Sequence, residues 1–141
     1  MGISIPAKMK TKKIKAFTLN EMLLVLAIIG ILLLLAIPLF MPLISKTKAQ
    51  EAKIQLKYIA NLQTQHRYIH SKFSAEFNEI DFEAPATIHN GGTANYQYEI
   101  VQVSPGTFKA RAEAIVDFDG DGIFNVWEID EKGNPKEITK D

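Results

Sequence analysis

The chain has 141 residues, enough for one small domain with extensions. Its 16 basic and 16 acidic residues cancel, 47% of the residues are hydrophobic, and cysteine is absent, so no disulfide can staple the fold. Both averages hide a split. Residues 1–16 hold Lys8, Lys10, Lys12, Lys13 and Lys15 and no acid, and without them the net charge would be −5. That balance argues against nucleic-acid binding by bulk charge.

After the lysines come Ala16 and Phe17-Thr-Leu-Asn-Glu21, then the apolar stretch Met22–Ile44, 23 residues without a charge. A helix rises about 1.5 Å per residue, so this stretch is long enough to cross a hydrocarbon core about 30 Å thick. It is longer than the apolar core of a secretory signal peptide, about 7–15 residues, and no small-x-small cleavage site follows it closely. A plain single-pass anchor would explain the lysines, held in the cytoplasm, and the apolar stretch. It would not explain Glu21, a carboxylate that is costly at the mouth of such a stretch unless something neutralises it.

The basic leader, the small Ala16 and the Phe-Thr-Leu-x-Glu start resemble the N-terminus of a type IV prepilin or type II secretion pseudopilin. Ala16 stands where glycine is usual, and Asn20 where an apolar residue is usual. Gly30 and Ala36-Ile37-Pro38 fall where family members carry a proline-kinked helix. The resemblance covers residues 8 to about 60 and is architectural beyond that. It implies cleavage by a prepilin peptidase between Ala16 and Phe17, followed by N-methylation of Phe17. It further implies that Glu21 of an incoming subunit meets the Phe17 amine of its neighbour and sets register, since both charges are expensive alone in apolar surroundings. Pro38 and Pro42 each remove a backbone donor, and this region of a pilin can bend or partly melt on leaving the bilayer. The implied partners are other copies of the chain, the peptidase, and an inner-membrane assembly platform with its ATPase. The implied location is the inner membrane before assembly and a periplasmic or surface filament after it.

Past Ser45 the helical spacing continues in an apolar stripe: Ala52, Leu56, Ile59, Leu62, His66, Ile69 and Phe73. Residues 17 to about 72 therefore read as one interrupted helix, apolar all round first and amphipathic later. Lys46, Lys48, Lys53 and Lys57 lie largely off the stripe and read as a solvated face rather than a DNA contact. His66 and His70 are four apart, but Arg67 stands where a zinc-protease helix needs glutamate, and two ligands make no site.

Residues 74–94, with Pro85 and Asn90-Gly91-Gly92, read as loop. Tyr96–Val103 is strand-like, Ser104–Gly106 a turn, and Thr107–Val116 a second strand placing Phe108, Ala110, Ala112, Ala114 and Val116 on one face. Ile123–Asp130 reads as a third strand, and Lys132–Pro135 turns the chain into a short tail. The predicted fold is α+β, a long N-terminal helix packed on a small antiparallel sheet. Its parts are a leader (1–16), a membrane or filament-core helix (17–44), an amphipathic helix (45–72) and a head (73–141). The 69-residue head would be marginal on its own core.

Asp117–Glu128 fits the twelve-position EF-hand calcium loop. Asp117, Asp119 and Asp121 occupy positions 1, 3 and 5, and Gly122 position 6. Ile123 would offer its carbonyl, Asn125 would act through water, and Glu128 would close the shell. The strands flanking the loop are not the helices of an EF-hand, and an Asp/Gly turn without an ion is the alternative. No nucleophile–base pair, phosphate loop or complete catalytic metal site is visible, which points to a structural protein rather than an enzyme. With the resemblance, the expected function is that of a subunit polymerising into a type IV pilus; the alternatives are a secretion pseudopilin and a membrane-anchored calcium-binding or adhesive domain that never polymerises.

Overall fold

A computed structural model describes residues 2–8 and 16–141. Four of the leader lysines, Lys10, Lys12, Lys13 and Lys15, lie outside the described residues. The chain divides into two compact units, Met1–Ala36 and Ile37–Asp141.

Helix α1 runs Leu19–His70 and passes through Pro38 and Pro42. Each proline deprives a carbonyl four residues earlier of its donor, those of Leu34 and Pro38, yet the helix continues through both. It starts at Leu19 rather than at residue 17 because Thr18 caps it. It stops at His70 because Ser71 turns left-handed (φ 61°), a conformation that ends helices.

Within the first unit, large side chains from Met22 to Leu35 are exposed. The helix is long and apolar enough to cross a membrane by length and composition.

In the second unit, four antiparallel strands follow one another as a meander: β1 (Tyr96–Ser104), β2 (Thr107–Ala114), β3 (Val126–Asp130) and β4 (Lys136–Thr139). β1 and β2 are joined through the Ser104↔Thr107 pair, with a bulge between Ile100 and Gln102. Ala110, Ala112 and Ala114 of β2 are buried, as are Ala49, Ala52, Leu56 and Ile59 of α1. All belong to one core cluster, the small alanines permitting a close approach of helix to sheet. Phe108 stacks on Phe73 (centroids 4.9 Å apart), and Trp127 and Ile129 complete the core from β3. Burying each of Leu56 and Ile59 contributes about 1.5–3 kcal/mol.

Several details depart from the pattern reading. The predicted stripe residue Ile69 is 76% exposed, whereas the polar Gln63 is fully buried. Gln63 is satisfied there: its Nε2 donates to the Ser74 carbonyl (2.7 Å), and its Oε1 accepts from the Ser74 amide (2.9 Å). The supposed loop at 74–94 contains two 3₁₀ turns, Phe77–Ile80 and Ile88–Asn90. β2 stops at Ala114, short of Val116, and β3 begins at Val126, not Ile123. The tail forms β4, a strand on the sheet edge paired with β3.

Candidate functional site

Two features carry the residues singled out in the sequence. The first is the start of α1. The Thr18 amide donates to Glu21 Oε2 (3.2 Å), and the Glu21 amide donates to Thr18 Oγ1 (3.3 Å). This reciprocal pair is a capping box, which satisfies two amides that the first helical turn leaves unpaired. The carboxylate also sits at the positive end of the helix dipole. Ala16 and Phe17 precede the cap, outside any regular element, and both are exposed.

The second feature is the β2–β3 connection. Gly120 and Gly122 adopt positive φ (83° and 86°), which lets the chain fold back on Asp117. Asp117 accepts the amides of Gly120 (2.7 Å) and Gly122 (2.5 Å). The Asp121 amide donates to Asp119 Oδ1 (3.0 Å), and the Ile123 amide to Asp121 Oδ1 (2.7 Å). A fourth carboxylate, Asp141, joins from beyond β4 and accepts the Phe118 amide (2.8 Å) through Oδ2. One carboxylate oxygen from each of Asp117, Asp119, Asp121 and Asp141 lies within 4.8 Å of the others. Nothing in the local spacing pointed to Asp141, which is 20 residues from Asp121 and arrives only because β4 pairs with β3.

The cluster is electrostatically uneven. The amide of Gly122, with help from Gly120, holds the Asp117 carboxyl below the usual range. The Asp121 amide pulls Asp119 the same way. Partial desolvation and the charges of Asp121 and Asp141 outweigh it, so Asp119 stands above the usual range. Asp141 Oδ1 is buried with no hydrogen-bond partner. Crowded carboxylates with an orphaned oxygen fit a hard cation that takes six to eight oxygen ligands.

Two members of the EF-hand spacing, Asn125 and Glu128, are placed otherwise. Asn125 is fully buried with its amide saturated: Oδ1 accepts from Tyr96 (2.7 Å) and Trp127 (2.6 Å), and Nδ2 donates to Glu137 (2.8 Å) and the Thr139 carbonyl (2.9 Å). Glu128 pairs with Arg111 across β2 and β3, at 2.7 Å to Nη2 and 3.0 Å to Nε. The reason is the strand: β3 starts at Val126, and its pleat commits Glu128 to its cross-strand neighbour Arg111. The structure thus gathers the first three aspartates with Asp141, and not with Asn125 or Glu128.

A helix that begins apolar and becomes amphipathic, packed on a four-stranded antiparallel sheet, is an α+β fold that fits the type IV pilin architecture. Over 68 residues the chain is 40% identical to the type IV major pilin protein PilA of Myxococcus xanthus (strain DK1622). The match takes in 48% of this chain and 31% of that relative, so it spans about a third of the relative's length. No protein-family model matches the chain.

Proposed function

We propose that the chain is a structural subunit of a type IV pilus, not an enzyme. The observation that carries this reading is the uncovered helix. Its apolar side chains between Met22 and Ile44 are largely exposed, behind a carboxylate held at the helix start. Apolar surface of that extent needs a bilayer or other helices to cover it. A filament core of packed helices supplies the second after the membrane has supplied the first. The 40% identity to a major pilin supports the same reading.

In this proposal a prepilin peptidase cuts between Ala16 and Phe17, and the freed Phe17 amine is methylated. Glu21 of an entering subunit then pairs with that amine on its neighbour, guided by a platform and its ATPase. The four aspartates hold calcium and tie the β2–β3 loop to the end of the chain, where no disulfide is available. Mass spectrometry of assembled filaments tests the first step. The expected mature N-terminus is Phe17, carrying a methyl group. Filaments built from subunits that retain residues 1–16 would overturn the proposal.

A further inference from the structure

His66 and His70 project from one face of α1, one turn apart, with their rings 4.4 Å from centroid to centroid. Sequence spacing offered only these two nitrogens. The fold brings carboxylates to them. The 3₁₀ turn Phe77–Ile80 and the residue after it line a pocket of about 180 Å³ with His66, His70, Glu79 and Asp81 on its walls.

Two of these side chains are already oriented. The Lys72 carbonyl lies 2.9 Å from His66 Nδ1. A carbonyl only accepts, so Nδ1 carries the proton and the Nε2 lone pair is free. Glu79 Oε2 accepts the Ser74 hydroxyl, which leaves Oε1 uncommitted. Gln63 clamps Ser74 by two hydrogen bonds, so the buried polar core fixes the segment that orients both groups. An imidazole donating its other N–H to a carbonyl, and a carboxylate held by a hydroxyl, are the supports that tune metal ligands.

The geometry points to a transition-metal site at the end of α1, formed by His66, His70 and Glu79 with Asp81 at its rim. Its occupant is a borderline divalent cation of the Zn²⁺ class, because two imidazoles and a carboxylate suit such ions better than calcium. No three of these four donors lie within 4.8 Å of one another as the aspartates do. Closure therefore takes rotation of the exposed His70 and Asp81 toward the oriented His66 and Glu79. The site is separate from the acidic loop, which offers only oxygen.

The test is calorimetric titration of the detergent-solubilised full chain with zinc chloride, alongside His70→Ala, Glu79→Gln, Asp81→Asn and His89→Ala. Exposed positions are chosen because His66 is buried and its loss would disturb folding. The expected result is one zinc site that weakens about tenfold or more in His70→Ala and Glu79→Gln, and does not change in His89→Ala. An Asp119→Ala/Asp121→Ala variant should keep that site. Absence of binding at submillimolar zinc, or binding indifferent to His70→Ala, overturns the inference. Binding that needs His70 but is indifferent to both Glu79→Gln and Asp81→Asn overturns it too, since only a histidine pair would then be at work.

Discussion

Thr18 and Glu21 satisfy each other's amides, at 3.2 and 3.3 Å, so within the single chain Glu21 already has a structural task. A role in capping and a role in pairing with a neighbour's amine separate by substitution. Glu21→Gln keeps an oxygen for the Thr18 amide and removes the charge. Thr18→Ala keeps the charge and weakens the cap, at a cost of about 0.5–2 kcal/mol at that helix end. Filament yield relative to membrane-held subunit should fall in Glu21→Gln and Glu21→Val and stay near normal in Thr18→Ala. If Glu21→Gln assembles normally, the carboxylate matters only as a cap.

If the four aspartates hold calcium as proposed, calcium should raise the melting temperature of the full chain in detergent, by binding the folded loop and not the unfolded one. Trp127, hydrogen-bonded to Asn125 beside the loop, should report the change by fluorescence. Asp119→Ala with Asp121→Ala should abolish the shift, and Asp141→Ala should reduce it. Magnesium, which demands a smaller octahedral shell, should do less. No response at millimolar calcium would leave the loop as a turn.

The opposite shifts of Asp117 and Asp119 give a pH prediction with a definite sign. Asp117 has a lowered folded pKa, so its ionised form stabilises the fold above the ordinary carboxylate value, and that contribution is lost as pH falls through the folded value. Asp119 has a raised folded pKa, so stability falls as pH rises from the ordinary value through the raised one, and the cost is complete at neutral pH. In chelator at pH 7, Asp119→Asn should therefore melt higher than the parent and Asp117→Asn lower. With calcium, Asp119→Asn should lose its advantage. Equal effects of the two variants in chelator would contradict this account.

Glu128→Ala distinguishes the observed cluster from an EF-hand shell. It removes a charge-assisted pair with Arg111, worth about 1 kcal/mol at this partly exposed site. Melting temperature should drop while the calcium-induced rise persists. Loss of the calcium response would restore Glu128 to the ligand set.

Asn125→Ala should be more damaging. Burial, followed by the charges of Glu51, Asp141 and Glu137, pushes the Tyr96 hydroxyl well above its ordinary pKa, so it stays a proton donor. Without Asn125 Oδ1, both that hydroxyl and Trp127 Nε1 lose the acceptor they share. Leaving both unpaired should cost at least about 2 kcal/mol, read from denaturant unfolding. A change below half that would mean water replaces the amide.

The sequence by itself determined what local chemistry can encode. The uncharged stretch Met22–Ile44, the 3.6-residue stripe through Ala52, Leu56 and Ile59, and the alternation Phe108–Ala110–Ala112–Ala114 each state an element and its buried face within a few neighbouring residues. The Asp-Gly spacing likewise declared a tight acidic turn. Only the tertiary structure decided what those elements meet. Asp141 reaches Asp117 because β4 adds to the sheet edge. Glu128 goes to Arg111 because the register of β2 and β3 puts them opposite. Gln63 is buried because Ser74, 11 residues on, returns to satisfy it. Patterns of period two or 3.6 record which side of an element avoids water. They do not record hydrogen-bond partners distant in sequence, which depend on strand register and chain return, and those partners separate a cluster of four aspartates from an EF-hand shell.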